Sequence, residues 1–379
     1  MFKNLHVVMN SFVFGSRILK ETASLAGAGM ADRVCIAAIH EDGLEERETL
    51  DNRRVVRRLR LRSRHWPRSL PVQLLKYVEF CARVIREAMR DGAEVVSVHS
   101  LALLPLGVAL KWVRGARLVY DAHELETETF GLNGLRQSLA RIVERRLIPY
   151  ADLVIVVGDG IADWYRRAYR LNNVVTVMNC PRYQRPARTR RLHEALSIPS
   201  DRRIVLYQGL LVPGRGIEAL LLLFADHDDG AHVVVFMGFG ELEGLIDQQA
   251  RRHSNIYRHP AVQPDVVLDY TASADVGIAY INNPSLNDRL CLPNKMFEYI
   301  MAGLPVIVNN APEMSRVVRE KGIGAVLTEL TVASLATALG EIERRDQLAM
   351  RSSLDEAARI YSWENQEREM LRGYEAYVC

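Results

Sequence analysis

The chain of 379 residues is too long for one ordinary domain and comfortable for two. Its composition, 49% hydrophobic and 25% charged, excludes a disordered chain, a collagen-like fibre and a disulfide scaffold, and the longest apolar stretch, Leu101–Leu110, stops at Lys111, well short of the ~20 residues that span a bilayer. A net charge of +3 is too small to point to nucleic acid by itself.

In chain order, Leu5–Met9 reads as a strand, and Asn10, Ser11 and Gly15–Ser16 as the turn after it. A helix over Arg17–Ala28 then ends at Gly29, and Val34–Ile39 is the next strand. The apolar start of the chain is broken by His6, Asn10 and Ser11, so no secretory signal is expected. Between Asp51 and Arg68 stand Arg53, Arg54, Arg57, Arg58, Arg60, Arg62, Arg64 and Arg68, with Val55, Val56, Leu59, Leu61 and Trp66 interleaved. This is a local basic patch on a nearly neutral protein.

Leu74–Arg90 has a helical pattern stopped by Asp91–Gly92, and Val95–His99, Leu118–Tyr120, Leu153–Val157 and Val174–Met178 are β-branched runs. Short, continuously apolar strands separated by helices imply βαβ units and a buried parallel sheet. Arg182–Arg191, rich in arginine and stiffened around Pro181 and Pro186, reads as a linker. The rhythm restarts with strands at Ile204–Tyr207, Val233–Met237, Val276–Ala279, Val306–Val308 and Ala325–Leu327. Helices Gly216–Phe224, Leu242–Arg252, Lys295–Met301 and Pro312–Lys321 alternate with them. The economical division is an N-terminal domain over 1–184, a C-terminal domain over 185–361 and a last helix over 362–379. That helix either closes the second domain or crosses back to brace the first. The cysteines Cys35, Cys81, Cys180, Cys291 and Cys379 form no Cys-x-x-Cys pair, which argues against zinc and disulfides and for a reducing cytoplasm.

Ligands of open parallel sheets bind beyond the carboxyl ends of the strands. After Ile204–Tyr207 comes Gln208–Gly216, whose glycines allow close backbone approach and whose Arg215 stands at a helix start suited to an anion. After Val233–Met237 comes Gly238–Phe239–Gly240, a weaker signal, since a strand-to-helix turn often needs glycine for itself. Leu292–Val306 contains a helix for which Asn294 is the expected N-cap and Gly303 the stop. Met296, Phe297, Ile300 and Met301 share its apolar face, so Glu298 is either solvated beside Lys295 or turned to a ligand. Tyr120–Asp121–Ala122–His123–Glu124 places a histidine between carboxylates at a strand end, either settled among them or donating to a polar substrate.

These four stretches, in this order, resemble family 4 of the retaining GT-B-fold glycosyltransferases, in the version that builds bacterial capsules, O-antigens and exopolysaccharides. The most specific piece is Pro293–Asn294–Lys295–Met296–Phe297–Glu298–Tyr299 with Ala302–Gly303–Leu304–Pro305–Val306. The resemblance implies an α/β protein of two Rossmann-like domains with parallel sheets facing across a cleft. It also implies transfer of a sugar, with retention, from a nucleotide-diphosphate donor to a glycan acceptor, and neither metal nor cofactor. Glu298 matches the glutamate that binds the ribose, Arg215 the basic residue on the donor diphosphate and His123 the histidine that reaches the donor sugar. Gly209, Gly240, Leu292 and Lys295 complete the implied donor site, and Gly15, Ser16, Arg17 and Glu124 lie on the acceptor side. Two departures stand out: Leu290 replaces the first glutamate of the Glu-x7-Glu motif, and Leu210 an arginine after the glycine. A sugar-nucleotide 2-epimerase on the same fold, or a catalytically silent partner, are the competing expectations. A dehydrogenase is disfavoured, because no Gly-x-Gly-x-x-Gly opens the first βαβ unit.

The basic segment lies in the domain that, by this resemblance, receives the acceptor. Its bland reading is a solvated face. The sharper one is contact of Arg57, Arg58, Arg60, Arg62 and Trp66 with an anionic inner leaflet, where a lipid-linked acceptor would reside. No nucleic-acid partner is expected.

Overall fold

The computed structural model describes residues 1–13, 15–282 and 285–379, which divide into two compact units, Met1–Val177 with Glu367–Cys379, and Met178–Gln366. The division falls at Val177/Met178, ahead of the expected 184/185. Unit 1 alternates β1 (Phe2–Val7), α1 (Ser16–Gly27), β2 (Ala31–Ile39), β3 (Arg47–Thr49), β4 (Arg54–Leu59), α2 (Leu70–Asp91), β5 (Val95–Val98), α3 (Leu104–Arg114), β6 (Arg117–Ala122), α4 (Gly134–Leu147), β7 (Leu153–Val156), α5 (Asp159–Tyr169) and β8 (Val174–Thr176). Its eight strands run in the order β3-β4-β2-β1-β5-β6-β7-β8, parallel except for the β3–β4 pair. Chain order reverses direction between β1 and β5, which leaves a crevice at the carboxyl ends of those two strands.

β4 lies inside what the sequence presented as a charged surface segment. Its arginines interrupt the apolar run, yet Val55 and Val56 are buried against β2 in register Cys35↔Val55 and Ile36↔Val56. Arg57 pairs with Glu87 and Asp91 of α2, at 2.5 and 2.6 Å. Arg58 is buried and donates to the carbonyls of Ser11, Phe12 and Glu45 and to Glu48. Both guanidiniums hold unit 1 together, so these two arginines are taken up inside the fold and are not part of an exposed basic patch as expected.

Unit 2 follows with α6 (Arg191–Leu196), β9 (Arg203–Leu210), α7 (Ile217–Asp226), β10 (His232–Phe239), α8 (Glu243–Ala250), β11 (Ile256–Pro260), α9 (Val267–Thr271), β12 (Val276–Ala279), α10 (Leu286–Leu290), α11 (Asn294–Met301), β13 (Val306–Asn309), α12 (Pro312–Lys321), β14 (Gly324–Leu327), α13 (Val332–Arg344) and α14 (Gln347–Ile360). Its sheet is wholly parallel, in the order β11-β10-β9-β12-β13-β14, and reverses direction between β9 and β12. Alternate residues of β9 enter two separate cores: Ile204 and Leu206 one, Val205 and Tyr207 the other. Arg182–Arg191 is not a free linker, because its charges tie it to unit 2. Arg185 donates to the carbonyls of Ile300 and Met301 and pairs with Asp355, and Arg188 pairs with Asp275.

The last helix, α15 (Trp363–Tyr377), returns the chain to unit 1. Tyr374 stacks on Phe2 and its hydroxyl bonds Ser97 at 3.2 Å, and the Tyr377 hydroxyl donates to the Asn172 carbonyl. Among the described residues no helix is long and apolar enough to cross a membrane.

Candidate functional site

In unit 2 the chemistry-bearing residues gather at the carboxyl end of β9, beside the reversal of strand order. The Tyr299 hydroxyl of α11 accepts from the Gln208 amide at 2.9 Å and donates to the Ile278 carbonyl, which pins the helix to β9 and β12 at once. Gln208 is buried. Its side-chain amide donates to Glu298 and its carbonyl oxygen accepts from Thr271 at 2.8 Å. Glu298 is thereby held half-buried in a fixed direction beside the strand end, rather than loosely solvated. α11 begins at Asn294 with Pro293 at the flanking position, so Asn294 is the first helical residue and not the cap. Gly303, at φ +78, ends it as expected.

Lys295 reaches over the Tyr207 ring, with its ammonium 3.5 Å from the ring centroid. Burial, and then the neighbouring Arg215 charge, push its pKa down to about 7. Two cations thus crowd one strand end, and no carboxylate pairs with Arg215 among the described residues. Arg215 stands in the β9–α7 loop, whose last residue, Gly216, has φ +77. A Cβ there would lie 2.9 Å from the Tyr280 ring, so only glycine lets the helix start this close to the strand end. Just past β10, the Gly240 N–H donates to Glu243 as α8 begins, and a Cβ at Gly240 would strike the Leu211 carbonyl at 2.3 Å. Leu292 has its side chain in the core, which leaves only its backbone for a ligand.

In unit 1 the strand-end site is deeper than the sequence suggested. His123 bonds Asp121 at 2.8 Å through Nε2 and is part-exposed. Asp121 is buried and meets Arg17 twice, Nη2 to Oδ1 at 2.7 Å and Nε to Oδ2 at 3.1 Å. Arg17 also donates to the Val177 carbonyl and lies 2.8 Å from Glu21. Expected on the acceptor side, Arg17 is instead a buried clamp, and of its neighbours only Ser16 and Glu124 are exposed, with Gly15 half-buried as the cap of α1. Behind Asp121 stand His99, at 3.0 Å, and His6, whose Nδ1 is 2.9 Å from His99 Nε2. Sequence reasoning missed both. The signal for His6 was a second polar residue, after Asn4, on the alternate buried positions of β1, and for His99 its place just beyond the end of β5.

Burial alone would raise Asp121, but the Arg17 charge and the His123 and His99 bonds outweigh it and hold the carboxyl well below its ordinary range. Burial, then the Asp121 charge, push Glu21 well above it. Burial also lowers His6 and His99. His99, Asp121 and His123 bring three ligand atoms together, as do His6, Glu21 and His99, and either set has the residue types of a divalent metal site. The Arg17 guanidinium already matches the Asp121 charge, and hydrogen bonds alone account for the first set.

Of the expected basic patch, Arg60 is exposed and pairs with Glu46 at 2.5 Å, while Arg62 and Trp66 are exposed. The exposed surface runs on along α2 through Leu70, Leu74 and Val78, spaced four residues apart on one helix face.

Residues 15–181 match the family model of a glycosyl transferase 4-like domain. No curated protein is significantly similar in sequence. Solved structures similar over the whole chain include sucrose-phosphate synthase from Thermosynechococcus elongatus, with a TM-score of 0.80, 15% identity and 99% of each chain covered. HepE of Anabaena in complex with UDP-glucose follows, with a TM-score of 0.72, 15% identity, and 99% of this chain and 100% of that one covered. WaaG, a glycosyltransferase involved in lipopolysaccharide biosynthesis, has a TM-score of 0.66 at 14% identity, with 99% of each chain covered. At these identities the likeness establishes the fold: two parallel-sheet α/β units of the GT-B class.

Proposed function

We propose that this chain is a retaining, metal-independent glycosyltransferase whose unit 2 holds a nucleotide-diphosphate sugar and whose product is a glycan on a lipid-linked acceptor. The observation that carries the reading is the pair Arg215 and Lys295 at the β9 strand end, with Glu298 oriented beside them by Gln208. Two crowded cations fit a diphosphate, and a fixed carboxylate fits the two hydroxyls of a ribose. The matched glycosyl transferase 4-like domain and the UDP-glucose complex of HepE support the same donor class.

Among the described residues of this strand-end group no carboxylate is placed as a nucleophile, since Glu298 is oriented by Gln208 and assigned to the ribose. Front-face transfer follows, in which the departing diphosphate accepts the acceptor's proton and Arg215 stabilises the charge that grows on it. The test is incubation with a set of nucleotide sugars, with and without glycan acceptors. Sugar transfer or slow donor hydrolysis supports the reading. A 2-epimer as product would replace it with an epimerase, and no turnover with any donor would leave a silent partner.

The lipid-linked acceptor rests on the surface of unit 1. Trp66, Leu70, Leu74 and Val78 are between 49% and 78% exposed, flanked by the exposed Arg62, Arg64 and Arg68. An apolar stripe edged with arginines suits the anionic inner leaflet, with the protein on the cytoplasmic side. Anionic vesicles should sediment the protein at low salt, and Leu70→Ser with Leu74→Ser should abolish this. Unchanged pelleting would refute the stripe.

A further inference from the structure

The hydrogen positions in the unit 1 cluster are fixed from both ends. At one end, the Asn4 side-chain amide meets His6 Nε2 at 3.0 Å, with the Asn4 carbonyl oxygen turned to the Ser97 hydroxyl. The amide donates, so His6 Nε2 accepts, and a neutral His6 carries its hydrogen on Nδ1. That hydrogen points at His99 Nε2, 2.9 Å away, which therefore accepts, and a neutral His99 carries its hydrogen on Nδ1. At the other end, the buried Asp121 carboxylate faces His99 Nδ1 at 3.0 Å and accepts only if that nitrogen donates. Both ends give the same direction: Asn4 to His6 to His99 to Asp121. Burial, which disfavours a charged imidazole, keeps His6 and His99 in these neutral forms.

The same oxygen of Asp121 faces His123 Nε2 at 2.8 Å. A carboxylate oxygen cannot donate, so His123 carries its hydrogen on Nε2. His99 Nδ1 and His123 Nε2 lie 3.2 Å apart, so a lone pair on either would meet the other's hydrogen in place of the carboxylate. A neutral imidazole carries one hydrogen, so with that hydrogen on Nε2 the bare nitrogen is Nδ1. His123 Nδ1 makes no hydrogen bond among the described residues, and the ring is 36% exposed.

We infer that Asp121, backed by the file of His99 and His6, is a positioning residue that locks His123 in the Nε2–H form, so that His123 offers the ligand an unprotonated Nδ1 and accepts a hydrogen bond from a hydroxyl. The group it takes is a sugar hydroxyl, and it takes neither a phosphate nor a developing oxyanion, which would need a donor. That the hydroxyl belongs to a sugar rests on the glycosyltransferase reading, whereas the tautomer rests on geometry alone.

Histidine side-chain nitrogen NMR on the labelled full chain at pH 7.5 decides the tautomer, with His123→Gln used to assign the signals. A protonated Nε2 and bare Nδ1 at His123 are expected. A proton on Nδ1, whether in the other neutral form or in an imidazolium, overturns the inference. Asp121→Asn should convert the single His123 form into a mixture, and His99→Gln does the same more mildly if Asp121→Asn fails to fold. A pure Nε2–H form in both variants also overturns the positioning role. For the ligand, UDP-glucose and its monodeoxyfluoro analogues are titrated against wild type and His123→Ala. One fluorinated position should bind about tenfold more weakly to wild type and equally with its parent to the variant, since fluorine cannot donate. No such position, with the tautomer as expected, refutes the sugar hydroxyl while leaving the wiring in place.

Discussion

Lys295 gives the donor site a pH signature. Its pKa is pushed down to about 7 by burial and by Arg215, so at neutrality half the free protein carries a neutral amine there. A bound diphosphate supplies the negative charge that the site lacks and restores the ammonium. Donor binding therefore takes up a proton, and affinity falls as pH rises through the free-protein value. With a pKa of about 7 in the free protein and a bound value above the range tested, the dissociation constant for a diphosphate sugar rises about 30-fold between pH 6 and 8.5, or about 2 kcal/mol. UDP-glucose suits the assay, because its diphosphate keeps its charge across this range. Calorimetric titration in two buffers of different ionisation enthalpy reads both the affinity and the proton uptake. Lys295→Met should bind more weakly at pH 6 and show a flat profile. A wild-type affinity independent of pH, with no proton taken up, would refute the placement of Lys295 against the diphosphate.

Glu298→Ala should raise the donor KM about tenfold with little change in kcat, and Glu298→Gln should do so more mildly; normal binding with early melting would make Glu298 a structural residue. Arg215→Ala should lower kcat as well as donor affinity, since its contact strengthens as charge grows on the leaving phosphate, and unchanged turnover would remove it from that step. Arg58→Ala leaves the carbonyls of Ser11, Phe12 and Glu45 without their donor and should cost about 2–3 kcal/mol, whereas Arg62→Ala on the surface should cost under about 0.5 kcal/mol; equal melting temperatures would refute the buried role.

Most of the parallel strands were legible because their centres are buried on both faces and so read as short, continuously apolar runs, as Val233–Met237 does. β4 was not legible, because its arginines find partners inside the fold. Arg57 meets α2 and Arg58 meets loop carbonyls, contacts that no local pattern encodes. The same limit hid the depth of the His123 site. His123 and Asp121 sit two residues apart in one turn, whereas His6 and His99 arrive from two other strands that become neighbours only through the β1–β5 pairing. In unit 2 the positions after β9 and along α11 stood out by spacing, while the reason Glu298 is fixed, a bond from Gln208 across the sheet, exists only once α11 packs on β9. Asn294 had the composition of a cap, but Pro293 takes that place with its extended backbone, φ −71 and ψ 141.

The central claim is that unit 2 binds a nucleotide-diphosphate sugar at the end of β9. The most direct measurement is thermal unfolding of the whole chain across a panel of nucleotide-diphosphate sugars, repeated with Arg215→Ala and Glu298→Ala. A donor at ~100 times its dissociation constant adds about 2.7 kcal/mol, so at least one should raise the Tm of the unit 2 transition by about 5–10 °C in wild type and by much less in both variants. No shift with any donor, or a shift of equal size in wild type and both variants, would contradict the account.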